Sequence, residues 1–138
     1  MPSSLRLAIL ITDIAFLAYW MVGLASLAGL FTLPASLMYA DYGNPIVFAW
    51  NWSFLPLDLA FSVAGLLAVA AARRGDSRWR GLALLSLSFT MAAGGMAVSF
   101  WAIRGEFDPA WFLPNLAIAL WPLCFLPQLL SNPTATPP

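Results

Sequence analysis

The chain has 138 residues, of which 62% are apolar and only 9% charged, with a mean hydropathy of +0.83 and no net charge. Globular proteins are closer to half apolar and a quarter charged, so this composition excludes an ordinary soluble fold and predicts a polytopic membrane protein. With no His, no Lys and one Cys, the chain also excludes His-ligated metal or haem, His-based triads, Schiff bases and internal disulfides.

Four apolar segments follow one another along the chain, separated by polar turns. We predict four spans, at about 5–31, 48–72, 81–103 and 109–130. Each is long enough to cross the hydrocarbon core of a bilayer, which takes about 20 helical residues. Together they form one transmembrane domain, residues 1–130, and the tail 131–138 is predicted to be disordered. The predicted fold is an all-α, integral membrane four-helix bundle with up-down-up-down topology.

The Arg residues predict how the bundle is oriented. Arg6 precedes the first span and four more Arg lie between the second and third spans, whereas Arg104 alone lies on the opposite side. Because cytoplasmic loops of membrane proteins carry the excess of basic residues, both termini are predicted to be cytoplasmic. The neutral net charge argues against nucleic acid as a partner, and the sequence indicates no cofactor and no metal site.

Asp13 lies well inside the first span. A carboxylate in hydrocarbon is costly, so we expect it to face the interior of the bundle. Two roles stay open: a tie between helices through hydrogen bonds to Ser86, Ser88 or Thr90 of the third span, or a protonation site. Arg6, seven residues earlier on nearly the same face, is close enough in sequence to reach inward.

Asp58 lies in the second span, near Pro56. Either Ser53 caps a helix that starts there, with Asp58 in its first turn, or the helix starts near Ile46 and Pro56 kinks it. Other polar and aromatic side chains fall at or near the level of Asp58: Asn51, Trp52, Ser99, Trp101, Arg104 and Asn115. We predict that they form a ligand-binding pocket with Asp58 in the outer half, with a structural polar clasp as the alternative.

Small residues recur at helical spacing in the second and third spans. The third span carries Ser88, Ala92, Gly95 and Ser99, which predicts a packing seam within the bundle or between two copies of the chain. Trp20, near the middle of the first span, is expected to fill the core or to line a cavity.

The segments "DYGNP", "SFWAIRGEFD" and above all "WNWSF" followed by "PLD" resemble the YvaD-like family of small bacterial four-span membrane proteins. The resemblance implies a four-helix fold in the cell membrane, which in bacteria is the inner membrane. It implies no activity, so no catalytic residue is assigned.

Three functions are compatible with these patterns. The one we predict is binding or carriage of a small amphipathic molecule or lipid in the outer pocket. The alternative is a structural or accessory subunit, as a homodimer or within a larger membrane complex. A lipid or isoprenoid isomerase is the second alternative, disfavoured by the missing His and by an expected separation of Asp13 and Asp58 above about 15 Å.

Overall fold

The computed structural model describes residues 1–34 and 37–131, and all regular structure in these residues is helical. The helices are α1 (Ser3–Leu27), α2 (Pro45–Trp52), α3 (Leu55–Arg73), α4 (Trp79–Arg104), α5 (Pro109–Leu120), a 3₁₀ helix (Trp121–Cys124) and α6 (Leu126–Leu130). The predicted disorder of the C-terminal tail concerns residues that, apart from Ser131, lie outside the described part.

Three segments are long and apolar enough to cross a bilayer: α1, the pair α2–α3 and α4. A shorter apolar segment, Pro109–Cys124, follows them. Large apolar side chains cover the outside of these helices, and Ile103, for example, is 87% exposed. Long apolar helices with apolar outer faces indicate a membrane protein.

The second predicted span is broken into two helices. Asn44 caps α2 by accepting a hydrogen bond from the Ile46 amide (3.0 Å), and Pro45 occupies the first turn, where no amide donor is needed. The Ser53 hydroxyl donates to the Trp50 carbonyl (2.6 Å) and so belongs to the end of α2. Of the two alternatives for this segment, the cap by Ser53 is wrong, because α3 has no side-chain cap, whereas the start of a helix just before Asp58 is observed.

The first helix ends before the predicted span does. It stops at Leu27, and Gly29 follows with a φ of +77°, a left-handed conformation that suits glycine and turns the chain out of the helical path. Gly105 closes α4 in the same way, with a φ of +72°. The apolar residues after Leu27 therefore belong to the connection between α1 and α2.

The helices pack in a fixed order, with α1 on α3, α3 on α4 and α4 on α5. Along α1 the buried side chains are Leu5, Ile9, Asp13 and Trp20, a narrow stripe that faces α3. Trp20 bonds to Asp58 near the start of α3, whereas Asp13 lies against Gly65 further along it, so α1 and α3 run antiparallel. Within the described residues, α1 and α5 form no comparable interface with each other.

The predicted small-residue seam of the third span faces outward. Ser88, Ala92 and Ser99 are exposed, and a Cβ placed on Gly95 would meet no described atom within 4 Å. The close approach between α4 and α5 occurs at Gly94, where a Cβ would lie 2.6 Å from the Asn115 carbonyl oxygen. The expectation that this seam packs within the bundle was thus wrong by about one residue in helical phase.

Candidate functional site

A cavity of about 260 Å³ lies among α1, the α2–α3 pair, α4 and α5, at the end of the molecule opposite the Arg-rich turn between α3 and α4. We call it the Asp58 cavity. Its walls are mainly aromatic and include Phe16, Trp20, Trp50, Phe54, Trp101 and Trp111. Such a concave, aromatic lining with a few polar groups is typical of a small-molecule site.

A second cavity, of about 400 Å³, adjoins the first. Five residues line both cavities, which places the two side by side: Tyr19, Trp20, Tyr39, Asn51 and Trp111. The rest of its lining is largely apolar and comes from the end of α1, from α2 and from the α1–α2 connection: Val22, Leu27, Leu33, Leu37, Met38 and Phe48. The two cavities together offer an aromatic end with a carboxylate and a more aliphatic end.

Asp58 is the charged group of the first cavity. Its side chain is 3% exposed, and its Oδ2 accepts a hydrogen bond from Trp20 Nε1 at 2.9 Å. Its Oδ1 is buried and has no hydrogen-bond partner among the described residues. Because α3 begins at Leu55, with Pro56 next to it, Asp58 lies in the first turn of that helix, where the helix dipole favours a negative charge.

Two amides supply the other predicted polar groups. The Tyr19 hydroxyl donates to Asn51 Oδ1 at 3.2 Å, and Asn115 Nδ2 donates to the Trp111 carbonyl at 2.6 Å. Both amides line the Asp58 cavity, and each is held in orientation by one internal hydrogen bond. The Nδ2 group of Asn51 and the Oδ1 atom of Asn115 can therefore bond to a bound molecule.

Five of the predicted pocket residues come together. Asp58, Asn51, Trp101 and Asn115 line the Asp58 cavity, and Trp52 lines the adjoining one. Other aromatic walls, notably Trp50 and Trp111, were not predicted from the sequence. Trp111 precedes Asn115 by one helical turn and so shares its face, a signal that could have identified it.

Ser99 and Arg104 do not line either cavity. Ser99 is exposed on the outer face of α4, because it is two residues, or about 200° of helical rotation, away from the buried Trp101. Arg104 forms ion pairs with Asp41 (2.7 Å) and Glu106 (2.8 Å), which join the end of α4 to the α1–α2 connection. Their predicted places in the pocket were wrong for these reasons.

Asp13 is buried in a separate place between α1, α3 and α4. Its side chain is 1% exposed. A Cβ on Gly65 would collide with Asp13 Oδ2 and lie 2.8 Å from Ser86 Oγ, so the glycine leaves the space that the carboxylate occupies. Oδ2 has no hydrogen-bond partner in the described residues, since Thr90 donates to the Ser86 carbonyl and Arg6 is exposed.

The two buried carboxylates lie at different levels of the α1–α3 pair. Asp13 lies at the level of Gly65, seven residues from Asp58 on α3, which corresponds to an axial offset of about 10 Å. Asp13 does not line the Asp58 cavity, so that cavity presents one carboxylate. In residues 1–34 and 37–131, no cluster of three or more His, Cys, Asp or Glu is placed to hold a metal ion.

The Asp58 cavity is open at one side. Its lining includes Ala15 of α1 and Pro114 of α5, and both residues are exposed. These two helices border the cavity, and in the described part of the chain they form no interface comparable with those between α1 and α3 or between α4 and α5. The opening therefore lies between α1 and α5, level with apolar helix surface.

Residues 5–136 match a family of unknown function, DUF5360. The protein is a member of the DUF5360 family. A relative named "Uncharacterized protein YvaD", from Bacillus subtilis (strain 168), is 38% identical over 128 residues, which are 93% of this chain and 92% of the relative. These matches confirm the YvaD-like resemblance. No solved structure matches this DUF5360 chain.

Proposed function

We propose that this protein is a four-span bundle of a bacterial inner membrane that binds and carries a small amphipathic molecule or lipid. In this proposal α1, the α2–α3 pair, α4 and the segment from α5 to α6 each cross the membrane, up-down-up-down, with both termini in the cytoplasm. The positive-inside distribution of Arg supports that orientation. The Asp58 cavity then lies in the outer half of the membrane.

The observation that carries the proposal is the half-paired carboxylate of Asp58 in an aromatic cavity. An ionisable side chain inside a membrane protein is costly and is retained where it contacts a partner or a substrate pathway. Trp20 satisfies one oxygen, and the cavity beside Asp58 offers a volume of about 260 Å³ to a ligand. In the proposed complex Asp58 supplies charge, Asn51 and Asn115 orient the ligand, and Trp101 packs on it.

The adjoining cavity extends this site. Its aliphatic lining and Trp52 suit the apolar part of an amphipathic molecule. Asp13 lies outside both cavities and so does not contact the ligand in this proposal. Its role as a protonation site stays a prediction.

The test of ligand binding is mass spectrometry of small molecules that copurify with the protein in mild detergent. We expect a molecule that is retained by the wild type and by Asp76→Asn, which removes the same charge from the turn after α3, and that is lost from Asp58→Asn. Equal recovery from Asp58→Asn would refute the pocket role of this carboxylate. Recovery of no molecule from the wild type would argue against a ligand-binding protein.

Orientation is tested by cysteine labelling of intact cells with a membrane-impermeant maleimide. Cys124 is exposed, so it is first replaced by Ser. We expect Phe107→Cys to react from outside and Ser77→Cys to react only after the cells are permeabilised. The reverse pattern would overturn the proposed topology.

One observation favours the accessory-subunit function as a second candidate. The stripe Ser88, Ala92 and Ser99 on α4 is exposed and small, which is the kind of surface that lets membrane helices approach closely. In that case Ala92→Leu would dissociate a complex that native mass spectrometry detects for the wild type, and Asp58→Asn would not. The isomerase alternative gains no support, since one carboxylate lines the cavity.

A further inference from the structure

We infer that the ligand of the Asp58 cavity is a lipophilic organic cation, with its charge on a nitrogen that carries alkyl or aryl groups. The inference rests on the proposed function and names the class of molecule that the same site would take. The charge, the hydrogen-bonding groups and the aromatic surfaces of the two cavities each support it.

The site holds one acidic side chain and no basic one. Among the described residues that line either cavity, Asp58 is the one Asp, Glu, Lys or Arg. Arg104, the cation that the sequence places nearest to this level, is paired with Asp41 and Glu106 instead. A cationic ligand would supply the counter-ion that an ionised Asp58 lacks inside the protein, whereas an anion would not.

The acceptor that Asp58 leaves unpaired favours a ligand with a cationic or N–H group. The lining also holds the Tyr39 hydroxyl, which has no partner in the described residues and can donate or accept. Trp20 Nε1, the Tyr19 hydroxyl and Asn115 Nδ2 each donate one hydrogen bond inside the protein. Asp58 Oδ1, in contrast, is an acceptor with no partner in the described part of the chain. A cationic group satisfies this oxygen by charge alone or through an N–H donor.

The rest of the wall excludes a bare metal ion and fits an organic one. Hard cations such as Ca²⁺ need six or more oxygen ligands, whereas this cavity is walled mainly by rings, including Trp50, Trp101 and Trp111. The faces of Trp rings attract alkylated ammonium groups through cation–π interactions. The aliphatic adjoining cavity then accommodates the apolar substituent of the cation.

The experiment compares two probes of almost the same shape that differ in charge, phenyltrimethylammonium and tert-butylbenzene. Binding to the purified protein in detergent is followed by tryptophan fluorescence. We expect the wild type to bind the cation at least about tenfold more tightly than the neutral probe, a difference of about 1.4 kcal/mol. Asp58→Asn should abolish this preference while leaving the affinity for tert-butylbenzene unchanged, and Asp76→Asn should behave as wild type.

The outcomes separate the two proposals. Equal or tighter binding of tert-butylbenzene by the wild type would overturn the inference on the cation and leave a ligand-binding cavity in place. Binding of neither probe by the wild type would overturn both. Because the wild-type comparison is decisive by itself, the test still holds if Asp58→Asn fails to fold. Trp101→Leu should then serve as the second variant, and we expect it to lose more affinity for the cation than for the neutral probe.

Discussion

The two buried carboxylates of this protein have nearly the same exposure and opposite surroundings. Asp13 is enclosed where three helices meet, in a space that exists because residue 65 is glycine. Asp58 lines an aromatic cavity and has one oxygen bonded to Trp20. Burial of an acid in a membrane helix therefore does not mark a ligand site by itself. Asp58 differs from Asp13 in having free volume next to an acid that the protein pairs only in part, and the proposed ligand site rests on that difference.

The largest expected effect comes from closing the space around Asp13. In Gly65→Ala the new Cβ would collide with Asp13, Ser86 and Ile9, and overpacking of this kind should lower the free energy of unfolding by about 3 kcal/mol. Thermal unfolding in detergent measures the change. Gly95→Ala is the matched control, because it places the same methyl group on an open face of α4. Equal melting temperatures for the two variants would contradict the described packing of Asp13.

A smaller loss is expected at the other carboxylate when its one hydrogen bond is removed. Trp20→Phe keeps an aromatic ring but removes the Nε1 donor that bonds to Asp58 at 2.9 Å. A hydrogen bond to a charged group contributes about 2 kcal/mol to stability. We therefore expect the free energy of unfolding to fall by about that amount. Trp52→Phe provides the comparison, since its ring packs on Trp20 without a bond to Asp58. A larger loss of stability in Trp52→Phe than in Trp20→Phe would contradict a stabilising role of the hydrogen bond between Trp20 and Asp58.

The substitution Asp13→Asn tests whether Asp13 and Asp58 have different roles in stability and in ligand binding. Asn keeps the size of Asp and removes an acid whose Oδ2 has no partner in the described residues, so stability should change by less than about 0.5 kcal/mol or rise. Binding of phenyltrimethylammonium should also stay as in wild type, in contrast to Asp58→Asn. A clear drop in melting temperature would show that Asp13 has a bonding partner after all.

Asp76, in the turn between α3 and α4, gives the smallest effect and serves as a surface reference. Hydrogen bonds from the Arg78 side chain and backbone lower the pKa of this carboxyl from 3.8 to about 2. Because the folded state lowers the pKa, this group's contribution to stability is present above pH 3.8 and is lost as the pH falls through about 2. Melting temperatures recorded against pH should show this loss in wild type and not in Asp76→Asn. An identical pH profile for both would mean that the pair with Arg78 does not affect stability.

Much of the fold followed from composition, because long apolar segments must be helical to satisfy their backbone in a membrane. The break at Ser53 was not predictable in the same way, since a proline at position 56 is compatible with a kink, a cap or a new helix. Depth along the helices suggested Asn115 and Trp101, which line the Asp58 cavity in the structure. Depth also suggested Ser99, which does not line it, because depth ignores the rotation between two residues on one helix.

The contacts that depend on tertiary structure were beyond the sequence. The sequence does not indicate that Gly65 leaves the space that the Asp13 side chain occupies. Several other glycines in this chain have open space around them, so a glycine by itself does not predict such a contact. Arg104 looked like a pocket residue as the one cation of its side, and its pairing with Asp41 across the α1–α2 connection overrides that reasoning. Ion pairs between loops cannot be predicted from the sequence, because the same charged residues could pair in many ways.

The side opening between α1 and α5 has a consequence for how occupancy of the cavity is set. In the proposed function, a hydrophobic ligand would arrive from among the acyl chains without first dissolving in the surrounding water. Its effective concentration would then be the amount partitioned into lipid. Weak intrinsic affinity would suffice for a strongly partitioning compound, and measured dissociation constants would scale with the ratio of detergent or lipid to protein.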